Sequence, residues 1–173
     1  MIPMAVMVIV SILMVVLPVG IAMRRIKGLP DSISSMVYLL PEGGCRWLWT
    51  LWIWAVGALA MIPMIEALDG KDLGIVGFVT LVLVYLVGAW PLFDEGHRTL
   101  HNVLGVSAGI LSQLCVILVS PLCMLSWSLF ALIMAVGYVF PNVVRWCDGK
   151  VVFISEMLCL IPLWMSDICM QAA

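Results

Sequence analysis

Apolar residues occur along this chain in long blocks, and polar residues gather in the gaps between them. A membrane-crossing helix needs about 20 mostly apolar residues. Six blocks meet that need, at about 2–23, 47–65, 73–93, 100–120, 125–141 and 151–169. The first carries no charge, and Arg24 and Arg25 follow it directly. A cleavable signal has its basic residues before the apolar run, so this block is read as a retained span. The second opens with Trp47, Trp49, Trp52 and Trp54, which point all round a helix. Tryptophan concentrates at the membrane–water boundary, so this cluster is expected to anchor the helix there. Pro91 falls near the end of the third block, and Ser120-Pro121 ends the fourth. The connection to the fifth is very short, which predicts antiparallel neighbours. The expected fold is therefore all-α: a polytopic membrane protein with a bundle of six transmembrane helices, forming a single domain over residues 1–173.

Composition agrees with lipid as the solvent. The chain is 65% hydrophobic and 10% charged, where a soluble domain is nearer half apolar and a quarter charged. A net charge of -2 and the lack of a basic patch argue against nucleic acid as a partner. None of the six cysteines forms a CxxC pair. Free cysteine behaves as a small hydrophobe, so helix packing is expected and a disulfide framework is not.

The basic residues set the expected orientation. With the N-terminus away from the cytoplasm, Arg24, Arg25, Lys27, Arg46, Arg98, Arg145 and Lys150 lie on the cytoplasmic side, and only Lys71 lies opposite. Lys and Arg in short loops resist translocation, so both termini are expected on the non-cytoplasmic side. Small size and the lack of targeting features point to a bacterial cytoplasmic (inner) membrane. Close helix packing in lipid relies on small residues. Gly105 and Gly109 form such a pair, either for ordinary bundle packing or for a homo-oligomer face, and Gly74 and Gly77 do related work.

The segment from Arg24 to Arg46 is longer than a plain connection requires. Its stretch Ile33–Leu40 is apolar with three hydroxyls, Ser34, Ser35 and Tyr38, bounded by Pro30 and Pro41. Too short to cross, it is expected to lie in the interface or to fold back under the bundle. A fold-back implies a cavity there, since non-helical backbone at membrane depth needs protein or water around it.

Candidate chemistry gathers at Asp94–Asn102, which holds both histidines. His97 and His101 are spaced i, i+4, which puts both rings on one face if the fourth helix covers them. With Asp94 one turn earlier, the three form a candidate site for a divalent metal such as zinc, although zinc usually takes four ligands. Solvated histidines, an Asp94 that caps the helix and a proton-responsive histidine pair are the alternatives. Glu156 lies inside the sixth block, about 9 Å along its helix from Lys150, and an ionisable group at that depth is a functional candidate. Asn142 is a candidate partner for it. Asp167 is expected at the outer interface. Gln113 and Ser112 are read as hydrogen bonds between helices.

Leu29-Pro30-Asp31-Ser32-Ile33-Ser34-Ser35 with Pro41-Glu42, and Leu100-His101-Asn102 opening a small-residue helix, resemble motifs of the DRAM-like family of six-helix membrane proteins. That family is similar to a wider superfamily with the alkaline ceramidases and the progestin and adiponectin receptors. The resemblance covers about a third of the chain and picks out Ser34 or Ser35, Asp94 and His101. The ceramidase-like members are metal-dependent lipid amidases with histidines from separate helices and seven spans. This chain has two histidines on one segment, so the resemblance implies the scaffold more than the hydrolase.

The leading expectation is a non-enzymatic protein that binds a lipid or small molecule at a cytoplasmic polar cluster of Asp94, His97, His101, Glu156 and the Ser34–Tyr38 loop. A metal-dependent lipid hydrolase of the ceramidase type is one alternative. A small proton-coupled transporter titrating at Glu156 is the other. A cysteine introduced at position 98 is expected to react with a membrane-impermeant maleimide from the cytoplasmic side alone. Labelling from the outside alone would reverse the orientation.

Overall fold

The computed structural model describes residues 3–41, 45–128, 131–132 and 150–172. Among the described residues, five long helices carry the fold: α1 (Met4–Ile26), α2 (Trp47–Asp69), α3 (Gly74–Ala89), α4 (Arg98–Val119) and α5 (Val151–Ala172). Short 3₁₀ turns at Ser34–Leu39, Glu95–His97 and Pro121–Met124 join them. There is no strand among the described residues. Four helical stretches among the described residues, Met4–Ile26, Trp47–Asp69, Glu95–Val119 and Val151–Met170, are long and apolar enough to cross a membrane. Of the expected fifth span, residues 125–128 and 131–132 are described and are helical. Asn142 and Glu42 lie outside the described residues.

The third helix is shorter than its apolar block. It stops at Ala89 after 16 residues, about 24 Å of rise. Pro91 is the reason: the residue before a proline is pushed out of the α region, and Trp90 sits at φ -113 and ψ 78.

Contacts across the bundle fix the directions of the helices. Trp52 Nε1 donates to the Met14 carbonyl (2.7 Å), joining α1 and α2 antiparallel. Thr50 Oγ1 donates to Gly88 O at 3.0 Å and Trp54 Nε1 to Tyr85 O at 2.8 Å, so α2 and α3 are also antiparallel. Thr80 Oγ1 stands 3.6 Å from Cys115 Sγ, between α3 and α4. Trp164 Nε1 donates to Ser11 Oγ (3.1 Å), and Gln113 Nε2 to Cys159 O (2.9 Å). Beyond the Gln113–Cys159 contact, Cys115 and Val116 of α4 share an apolar cluster with Leu163 of α5, so these two helices run parallel.

The tryptophan cluster is divided between surface and interior. Trp47 is exposed, as an interfacial anchor would be, but Trp49 is buried and stacks on Trp52 at 4.4 Å. Trp52 and Trp54 spend their N–H groups on neighbouring helices, so most of the cluster is interhelical packing. Asp167 is fully buried in α5, and neither carboxylate oxygen has a hydrogen-bond partner. The cysteines described, Cys45, Cys115, Cys123, Cys159 and Cys169, are free.

Close approach of α2 and α3 depends on glycine. A Cβ at Gly88 would stand 2.5 Å from Trp54 Nε1, and one at Gly57 would stand 2.5 Å from Val84 Cγ1. Gly105 has nothing within 4 Å of such a Cβ. Gly88→Ala is therefore expected to lose about 1–3 kcal/mol through overpacking. Gly105→Ala is expected to be neutral or to gain up to about 1 kcal/mol from helix propensity. Reversible unfolding in mixed micelles measures both; equal effects would contradict this packing.

Candidate functional site

The loop after α1 turns back into the bundle. Lys27, in the left-handed region at φ 53, ends the helix, and the chain reaches the Ser34–Leu39 turn. Ser32 and Ser35 brace the entry reciprocally. Ser35 N–H donates to Ser32 Oγ (2.8 Å), and Ser35 Oγ donates to Ser32 O (2.7 Å). Met36 and Val37 are buried in the same apolar cluster as Val15, Trp49 and Phe153. The fold-back form of the loop is the one adopted. Lys150 pairs with Asp31, and Phe153 N–H donates to Asp31 O, tying the start of α5 to the loop.

His101 occupies the centre of this arrangement. It is 4% exposed. Its Nδ1 lies 2.8 Å from Trp90 O and 3.2 Å from Val87 O. Two carbonyls at one ring nitrogen require the proton there, since carbonyls only accept. With the ring singly protonated at Nδ1, Nε2 accepts, and the Ser34 hydroxyl donates to it at 3.1 Å. Pro91 explains the need for His101. In a continuous helix Val87 O would accept from the N–H four residues on, and that residue is a proline without one. Glu156 comes from the other side, its Oε2 accepting from Ile33 N–H.

Ser34, His101 and Glu156 line one cavity of about 750 Å³. Most of its wall is apolar, including Val15, Val56, Ala60, Met61, Val84 and Leu163. Gly105 and Gly109 form part of the α4 wall, and a Cβ at Gly109 would stand 3.4 Å from Cys159 Sγ. Gly105 thus leaves space inside the molecule, while Gly109 lets α4 pack against Cys159 of α5. Val106, Ile110, Val151 and Val152 line the same cavity and are exposed, so it reaches the outer surface along α4 and α5. Gln113, also on the wall, lies about 18 Å along α4 from His101. Its amide donates to Cys159 O and accepts from Trp127 Nε1 at 2.8 Å.

The remaining candidates lie elsewhere. His97 precedes α4, with φ -116 and ψ 10. Because the helix begins at Arg98, the i, i+4 spacing does not put the two rings on one face. His97 Nδ1 instead meets Asp94 Oδ2 at 2.8 Å, with both side chains about half exposed (50% and 46%). Asp94 makes no side-chain cap to α4. Tyr38, half exposed, donates to Leu92 O at 3.2 Å and lies under the Arg46 guanidinium at 5.6 Å. Ser35 serves the Ser32 turn. A divalent metal on Asp94, His97 and His101 does not fit this placement, because His101 faces inward with both nitrogens engaged. Among the described residues no group of three or more His, Cys, Asp or Glu stands together as a metal site. The bond from Gln113 to Cys159 O between α4 and α5 agrees with the sequence reading; its Trp127 partner and its place on the cavity wall were not expected.

Comparison of the chain with family models, curated proteins and solved structures gives no match.

Removing the two histidines should have unequal effects. His101→Ala leaves buried carbonyl and hydroxyl groups without partners, each worth about 1–3 kcal/mol. It should also speed amide exchange across residues 33–39. His97→Ala breaks an exposed pair worth less than about 1 kcal/mol and should leave that exchange unchanged. Exchange mass spectrometry on both variants reads the difference, and similar rates in the two would refute the placement of His101.

Proposed function

We propose that the chain is an integral membrane protein that binds one amphipathic, lipid-like molecule. The polar end of that molecule lies against Ser34, His101 and Glu156, and its apolar part occupies the cavity between α2, α4 and α5. One observation carries this reading: three polar side chains from three distant segments meet at one end of a large apolar cavity. Convergence of a few polar groups on an apolar pocket is the usual form of a small-molecule site. The exposed aliphatic rim at Val106, Ile110, Val151 and Val152 supports entry from the surrounding lipid.

In this reading the membrane is crossed six times. The parallel course of α4 and α5 supports a crossing between them. Both termini face away from the cytoplasm, and the Ser34 end of the cavity lies at the cytoplasmic side of a bacterial inner membrane. Arg24, Arg25, Lys27, Arg46, Arg98 and Lys150, all at that end, support the orientation.

Lipid retained through detergent extraction and identified by native mass spectrometry tests the reading. The wild type should carry one stoichiometric lipid-like molecule. Gly105→Phe, which fills the cavity without a backbone clash, should lower retention at least tenfold, equivalent to about 1.4 kcal/mol. No retained molecule in the wild type, or equal retention in the variant, would remove it.

A further inference from the structure

We infer that Ser34 is a nucleophile and His101 its general base, so that the cavity cleaves long-chain carboxylic esters by way of an acyl-serine. The inference rests on the binding reading above and adds a reaction to it. A serine hydroxyl is a weak nucleophile unless a base stands within hydrogen-bond reach and a third group holds that base in the right tautomer. Both conditions are met here. Ser34 Oγ lies 3.1 Å from Nε2 of His101, and the Val87 and Trp90 carbonyls hold the proton on Nδ1. The free lone pair of the ring therefore points at the hydroxyl proton. Main-chain carbonyls take the orienting place that a carboxylate takes in a triad.

Surroundings of the pair suit an acyl substrate. Both side chains line the cavity, and the apolar wall beyond them accepts a hydrocarbon chain. Asn102, next to His101 in sequence, also lines the cavity and carries a side-chain amide donor. The reaction balances without a metal or a redox partner. Nε2 takes the Ser34 proton as Oγ bonds to the acyl carbon. The imidazolium returns that proton to the departing alkoxide oxygen as the ester C–O bond breaks. Water then attacks the acyl-serine, again losing a proton to Nε2. Ser34 recovers its proton from the imidazolium, and the free acid leaves. Glu156 is not a participant: its carboxylate is bonded to Ile33 N–H and fixes the position of the loop that carries Ser34.

The test uses the purified full chain in nanodiscs, a dodecyl fluorophosphonate probe and peptide mass spectrometry. The wild type should gain one adduct, on Ser34, with loss of fluoride. Ser34→Ala should gain none. His101→Gln should form the adduct at least about 100-fold more slowly, the usual contribution of a general base. Should His101→Gln fail to fold, the comparison of wild type with Ser34→Ala still decides. Retained lipid without any Ser34 adduct in the wild type would overturn the nucleophile and leave the binding reading standing. Neither lipid nor adduct would remove both. Adduct formation at the wild-type rate in folded His101→Gln would overturn the role of the base.

Discussion

The His101 ring is the point on which the rest of the structure depends. Pro91 stops α3 early and takes away the N–H that Val87 O would otherwise accept. In lipid a carbonyl without a partner costs several kcal/mol, since no water replaces the lost bond. His101 crosses from α4 to supply that partner, donating one proton between Val87 O and Trp90 O. The cost of ending a helix inside the bundle is thereby offset by a side chain from the next one. Its consequence is an imidazole whose other nitrogen must find a donor in the interior.

Ser34 is that donor, and it brings a whole segment with it. Residues after α1 are drawn under the bundle, where Met36 and Val37 add to the core. Glu156 then accepts Ile33 N–H, and Lys150 meets Asp31 nearby. Polar groups that are costly singly at this depth satisfy one another. The cavity beside them follows from small residues: Gly105 leaves the α4 wall low, and Ala60 continues it on α2. Local backbone satisfaction, loop docking and the cavity form one connected arrangement.

The described helices were readable from the sequence because uninterrupted apolar blocks have no other stable form in lipid. Glu156 and the Ser34 loop were also visible, as polar groups where apolar ones were due. Pairing His97 with His101 failed on a boundary: one residue of helix start decides whether an i, i+4 spacing means a shared face. Asp167, Trp49, Trp52 and Trp54 turn toward neighbouring helices, which hydropathy did not show. Hydropathy gives the depth of a residue, but which side of a helix meets a neighbour depends on tertiary packing. Gly105 and Gly109 show the same limit, since small residues permit close contact and equally permit a void. Nothing local to His101 signals the Val87 carbonyl, yet Pro91 held that information four residues from the group it left unpaired.

The protonation of the His101 ring tests the account most directly. Nitrogen NMR of histidine-labelled protein, with His97→Gln used to assign the signals, reads each ring nitrogen separately. The arrangement predicts a single neutral tautomer, protonated at Nδ1, whose unprotonated Nε2 resonance moves when Ser34 is replaced by alanine. A ring protonated at Nε2, or one averaging between tautomers as a solvated imidazole does, would contradict it.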